Sequence, residues 1–461
     1  NVGTTAGGAT STADTAFAVA NAQIAGNATV IAKIDEPAVV SSFVTGIASD
    51  SNVTLNSNII DAFGTSNKAT NGVSLTGTTI ATDAGVLNVQ SSDAQVASTI
   101  GRGADATNAA SLADAGVVAD FNANVSGSAI AVNSNVTRGS AIGNVGNNTL
   151  AVSATTLSGG GTAVKAAAVG SVDGIATATG DYSLANSQSL GNTSASTTNV
   201  AAAYGIDVGL IAGSATTNSR LSVSSNNQFA EALGNSGTNR ITLTATGAGA
   251  GVDPTAVLSN VQDGNEAEIV SVSKMTVFAN AESSASSVAL NGNSNTALGV
   301  INNAVNSIAV SAVTLDGSAT VGGIVASGNT TTADYALNSV QGASGPLAST
   351  ARLDIYNLDK DAASTTGTVG SVITLTGNAT TAEGTANRIT NALSALATDN
   401  GATAGLNSSQ ASAAGVTVNA TSSVGYGLAS LLAVVPATDS SISVDGNSTT
   451  ALARGNSASN A

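Results

Sequence analysis

From Leu221 to Ala245 the chain reads LSVSSNNQFAEALGNSGTNRITLTA, and this pattern recurs along the sequence without internal gaps. Apolar Leu221 and Val223 precede Asn226. Small Ala230 and Ala232 precede Gly234 and Asn235. Asn239 then leads to Ile241, Leu243 and Ala245. Upstream, the same places hold Ile130, Val132, Asn135, Gly139, Ala141, Gly143, Asn144, Asn148, Leu150, Val152 and Ala154. Downstream they hold Val288, Leu290, Asn293, Ala297, Gly299, Asn302, Asn306, Ile308, Val310 and Ala312, with Ile301 in the glycine place. Two further copies are anchored at Asn58 and Asn378. A unit that repeats in register buries its apolar face against the next unit, which restricts the chain to repetitive architectures.

The apolar pairs alternate with period two, the mark of short strands with one buried face. Asn and Gly separate them, and both tolerate the left-handed backbone of tight corners. The pattern predicts three short strands and two corners per unit, which is one coil of a β-helix. The Asn58, Asn135, Asn144, Asn226, Asn235, Asn293 and Asn378 side chains would lie at the corners, where stacked amides form hydrogen-bonded ladders. The fold expected is therefore all-β: a β-solenoid with Asn/Gly corners and a thin core of Ala, Val, Leu and Ile. The alternative is a set of tandem β-sandwich domains, because the copies are unevenly spaced. Residues 1–14 read as an extended Gly- and Thr-rich segment, and 15–461 as one continuous repetitive body.

Composition agrees with a thin core. Hydrophobic residues make up 42% of the 461 residues but aromatics only 2%, with no Trp. Charged residues are 9%, against about 25% in an average soluble protein. The polar surface must then be neutral Ser, Thr and Asn. A formal net charge of -16 with scattered Lys and Arg excludes nucleic-acid binding as an expectation. No apolar run reaches about 18 residues, so no helix inserts in a membrane. With neither His nor Cys, the usual general base, the thiol nucleophile and any His or thiolate metal site are missing. The acid pairs Asp35-Glu36 and Glu266/Glu268 lack the aromatic platforms of a sugar cleft and read as solvated loops. A non-enzymatic protein without a cofactor is expected. Calcium is the one metal to consider, at Asp354, Asn357, Asp359 and Asp361 or in the loop at Asp263, and neither segment fits EF-hand spacing. Asn-x-Ser/Thr sequons at Asn27, Asn52, Asn135, Asn329, Asn378 and Asn447 leave glycosylation open.

A sixth copy runs through Ile442, Val444, Asn447, Ala451, Ala453, Gly455, Asn456 and Asn460, and its third apolar pair is missing. An incomplete unit, 442–461, exposes a strand edge and an open apolar slot. The N-terminal segment beginning Asn1-Val2 could fill that slot in another copy by strand addition. This predicts head-to-tail assembly through Asn1, Val2, Ile442, Val444, Asn456 and Asn460, with a frayed or processed C-terminus as the plain alternative. A first residue other than Met is expected of a secreted chain after signal-peptide removal, although a partial sequence begins the same way.

The Asn-cornered repeats, small residues and missing Cys resemble secreted bacterial β-solenoid proteins of the surface-fibre and adhesin type. The segment VDGNSTTALARGNSASNA, from Val444, is similar in style to curlin repeats. It departs from them in length, in irregular spacing and in lacking regular Gln positions. The resemblance implies a structural role outside the cell: a homopolymeric filament, biofilm matrix or surface coat. The alternative it implies is a cell-surface adhesin or S-layer subunit that binds a surface glycan or Ca²⁺.

Overall fold

The computed structural model describes residues 2–6, 9–13, 15–34, 40–101, 115–159, 164–169, 175–191, 193–208, 215–247, 251–252, 254–280, 282–316, 321–325, 330–358, 368–426 and 437–461. The chain winds as six stacked coils, and each coil contributes one rung to each of five parallel sheets. Sheet I holds Phe17–Ala25, Ala84–Ser92, Tyr182–Leu190, Ala256–Gly264, Tyr335–Ala343 and Ala404–Ser412. Sheet II follows, with Ala195–Val208 and Glu268–Asn280 as its middle rungs. Sheets III and IV are short; sheet IV includes Ala129–Asn133 and Arg220–Ser224. Sheet V closes each coil with long strands such as Val136–Ser158 and Asn227–Ala245. The fold is a β-solenoid, and every element of the described residues is a strand or bridge.

Each copy read from the sequence lies in a separate coil, and the copies stack directly: Asn135 lies beside Asn226, 91 residues on, and Asn226 beside Asn293, 67 residues on. One coil is therefore much longer than one copy of the motif. Leu221 to Ala245 forms only sheets IV and V of its coil. The two segments expected as separate strands after Asn226 lie in one strand, Asn227–Ala245. Within it the inward-facing positions are even up to Ala232 and odd from Asn235 onward. The pairing skips Gly234, so a single extra residue turns the strand while keeping apolar atoms inward. A Cβ at Gly234 would lie 2.5 Å from the Ile301 carbonyl oxygen and 2.6 Å from Leu190 Cδ1, so no larger residue fits.

The left-handed residue at the other corner is not the Asn. It is the residue before it: Ser57, Ser134, Ser225, Gly292, Gly377 and Gly446 all have φ between 58° and 65°. This backbone turns the chain from sheet IV to sheet V and aims the following Asn inward.

The uneven spacing that favoured separate domains has a local cause. Two steps, of 91 and 85 residues, each contain a β-hairpin that has no counterpart among the described residues of the 67- and 69-residue steps. The hairpins are Val164–Val169 with Ile175–Gly180, and Val321–Val325 with Thr330–Ala333. Residues Val2–Ala6 and Ala9–Ala13, expected to be extended, form a third hairpin. The three join edge to edge into one antiparallel sheet, Ala13 pairing with Ala166 and Ala178 with Gly323. This sheet covers the outer face of sheet I, where Leu87, Val89, Ala185, Val257 and Ala336 meet Ala176, Ala178 and Ala333. Sheet I is thereby buried on both faces, as covered parallel strands are.

Two apolar columns fill the coils. One, with Ile130, Val132, Tyr204, Ile206, Leu221 and Val223, lies between sheets II and IV. The other, with Leu150, Val152, Tyr182, Leu184, Ile241 and Leu243, lies between sheets I and V. The expected thin aliphatic core is present, but the few aromatics are placed in it: Tyr182, Tyr204, Tyr335 and Phe121 are among the largest fully buried side chains. Burial pushes the Tyr182 and Tyr204 phenols well above the usual tyrosine value, with Asp181 and Asp83 adding to the rise at Tyr182.

This has a pH consequence. Unfolded tyrosine ionises near pH 10, and the folded groups ionise higher. Their contribution to stability is complete below about pH 10 and is lost as pH rises above it, at about 1.4 kcal/mol per pH unit for each group. Denaturation midpoints should be flat between neutral pH and about pH 10 and fall above it. Phenolate absorbance of these two residues should appear only with unfolding.

Candidate assembly interface

Every corner Asn named from the sequence stands in a continuous amide ladder. Asn58 Nδ2 donates to Asn135 Oδ1 at 2.9 Å, Asn135 to Asn226 at 2.9 Å and Asn226 to Asn293 at 3.0 Å. Asn293 then donates to Asn378 at 2.9 Å, and Asn378 to Asn447 at 2.9 Å. The second ladder runs from Asn67 through Asn144, Asn235, Asn302 and Asn387 to Asn456, with bonds of 2.8–2.9 Å. The third runs from Asn71 through Asn148, Asn239, Asn306 and Asn391 to Asn460, also at 2.8–2.9 Å. Amides of the second and third ladders also reach across to sheet I of the next coil, and those of the first ladder reach back to a sheet IV carbonyl of the previous coil, as Asn226 Nδ2 does to Val132. Asn144 Nδ2 donates to the Ser189 carbonyl at 2.8 Å, and Asn148 Nδ2 to Asn186 Oδ1 at 3.1 Å. A buried amide is tolerable only when its donors and acceptors are used, and the ladder uses both on every inner rung.

Sequence reading missed two further ladders, both on sheet I. Asn21, Asn88, Asn186 and Asn260 donate upward from coil to coil, ending on Ser339 Oγ. Gln23, Gln90, Gln188, Gln262, Gln341 and Gln410 form the other, with bonds of 2.7–2.8 Å. Regular Gln positions therefore exist, contrary to the expectation from sequence. The signal was an Asn-x-Gln triplet at 21–23, 88–90, 186–188 and 260–262. The Gln ladder has the opposite polarity: each upper Gln donates to the one below.

These polarities make the two ends of the stack different and complementary. On the first coil, Oδ1 of Asn58, Asn67 and Asn71 accepts no hydrogen bond among the described residues, while Gln23 Nε2 bonds only the Lys68 carbonyl. On the sixth coil, Nδ2 of Asn456 and Asn460 has no acceptor among the described residues. Asn447 turns its second hydrogen to the Asp445 carbonyl, 3.0 Å away, where inner rungs reach the next Asn. Gln410 Oε1 also lacks a donor among the described residues. The apolar columns open at the same ends. Ile442 and Val444 are 40% and 51% exposed, where the equivalent Leu221 and Val223 are 1% and 0%. With Val424, Tyr426 and Asn447, Val444 lines a shallow dish on the sixth coil.

Of the residues expected to carry assembly, Ile442, Val444, Asn456 and Asn460 thus share one end face. Val2 lies instead in the first hairpin, its backbone paired with Ala13; Asn1 lies outside the described residues. Of the calcium candidates from Asp354 to Asp361, only the Asp354 side chain lies within the described residues. Asp354 is ion-paired with Arg352 at 2.9 Å, and Asp359, Asp361 and the Asn357 side chain lie outside the described residues. Among the described residues no three acids cluster to hold a metal. Glu266 sits at an exposed left-handed turn and Glu268 opens a sheet II strand; Asp35, Glu36 and Asn329 lie outside the described residues. The sequon residues Asn135 and Asn378 are buried in the ladder, which leaves no room for a glycan there.

No family model, curated protein or solved structure matches the chain.

Proposed function

We propose that this protein is the structural subunit of an extracellular bacterial filament or matrix, whose copies stack end to end so that one solenoid continues into the next. The observation that carries this reading is the pair of end faces. Asn amide donors on one face answer Asn amide oxygens on the other, and the Gln ladder answers in the reverse sense. Stacking would close the open apolar columns and pair the exposed rungs of all five sheets, which otherwise remain templates for strand addition. Head-to-tail contact between unlike faces propagates without closing. A neutral Ser, Thr and Asn surface without thiols suits a coat or matrix outside the cell. Strand complementation between termini, in this reading, is rung-on-rung stacking.

The test is electron microscopy of the purified chain over a range of concentrations, with and without EGTA. Unbranched fibres that grow with concentration and ignore the chelator are expected. A planar lattice, or fibres that dissolve in EGTA, would identify an S-layer or adhesin subunit instead. Monomers at every concentration would overturn both.

A further inference from the structure

The solenoid has a second period, of two coils, written in both side chains and backbone. One inward position of sheet I reads Phe17, Ala84, Tyr182, Ala256, Tyr335 and Ala404 from the first coil to the sixth. Aromatic and alanine alternate strictly. Large and small side chains alternating on facing layers fill a core without voids or clashes. The three hairpins obey the same period, each immediately preceding an aromatic rung. Strands in any sheet are spaced about 4.8 Å apart, so a two-stranded hairpin spans two coils. Hairpins on alternate coils therefore tile a covering sheet that keeps pace with the stack beneath it.

Among the described residues the first coil is aromatic and hairpin-bearing and the sixth is an alanine coil. Among the described residues the outermost strands of the covering sheet are Val2–Ala6 at one end and Thr330–Ala333 at the other. Its strands alternate in direction throughout. The next strand beside Thr330–Ala333 must run in the direction of Val2–Ala6. We propose that a second copy seats its first coil on the sixth coil in one register, with Phe17 over Ala404 and Val2–Ala6 added antiparallel to Thr330–Ala333. An inverted copy would set amide donors against donors and break both alternations. This inference rests on the stacking reading above and adds its register: the two-coil period crosses the junction unbroken, in the core and in the covering sheet together.

The register can be read by disulfide trapping, because the chain has no cysteine. Ile59 occupies the same sheet V position as Val136, Asn227, Ser294, Ala379 and Ser448 in successive coils. Phe63 corresponds in the same way to Leu452. Across the junction each matched pair would lie one strand spacing apart, about 4.8 Å, within disulfide reach. Mild oxidation of fibres of Ile59→Cys/Ser448→Cys, and separately of Phe63→Cys/Leu452→Cys, should give a ladder of covalent multimers that thiols reverse. The crossed pair Ile59→Cys/Leu452→Cys should give none. Fibres in which the crossed pair links, or neither matched pair does, overturn the register and leave stacking standing. Absence of fibres from the unmodified chain overturns stacking itself.

Discussion

Asn226→Ala is expected to lower the stability of the chain by about 3–5 kcal/mol, read as a fall in the denaturant midpoint. Asn226 Oδ1 accepts from both the Asn135 backbone N–H, at 3.1 Å, and Asn135 Nδ2, at 2.9 Å. Its Nδ2 donates to the Val132 carbonyl at 2.9 Å and to Asn293 Oδ1 at 3.0 Å. Four bonds go at once, and Asn135, Asn226 and Asn293 are all fully buried, so no water replaces them. A buried donor left without a partner costs about 1–3 kcal/mol, which makes the loss larger than the net worth of the bonds. Asn58→Ala provides the internal comparison. Asn58 is half-buried at the end of the same ladder and bonds upward only. Its loss should cost about 1 kcal/mol, the net value of an ordinary hydrogen bond. Equal losses at the two sites would mean that the ladder does not act as a buried polar column.

Tyr182→Ala should cost a similar amount, about 3–5 kcal/mol, for a different reason. Tyr182 is fully buried between Ala84 and Ala256 on the neighbouring rungs. Both neighbours are already as small as the alternation requires, so neither can expand into the hole, and the cavity persists. Tyr182→Phe separates ring from hydroxyl. The Tyr182 hydroxyl is buried and accepts or donates no hydrogen bond among the described residues. Removing it should leave the midpoint within about 0.5 kcal/mol of the parent. The first coil already carries Phe17 at this position. A large loss in the Phe variant would show that the hydroxyl, rather than the ring, holds the position.

The solenoid and its corner amides were legible because sheets IV and V keep a rigid residue count. A backbone that must place Asn135, Asn144 and Asn148 above Asn226, Asn235 and Asn239 permits no insertion between them. The coil length was not legible, because only those two sides repeat as one long ungapped stretch, while sheet I repeats over nine residues alone. The remaining sides absorb hairpins, and the hairpins made a regular stack look irregular. The left-handed corner was assigned one residue late, since Ser225 carries the backbone turn and Asn226 carries the hydrogen bonds. The alternation of Phe17, Ala84, Tyr182 and Ala256 has a period of two coils, so comparing one copy with the next hides it. The cis pairing of residues 9–13 needed a partner that local sequence cannot show: Ala13 meets Ala166 far along the chain. The end faces were legible only as an unfinished repeat. Their complementarity needed the direction of each amide, which a sequence does not contain.

The most direct test of the account is the axial rise per subunit in assembled fibres, measured by helical reconstruction from cryo-electron micrographs. Six coils at one strand spacing each predict a rise of about 29 Å per chain, with strands perpendicular to the fibre axis and an unbroken spacing of about 4.8 Å across every junction. A different rise, strands running along the axis, or a gap in the spacing at the junction would contradict end-to-end continuation of the solenoid.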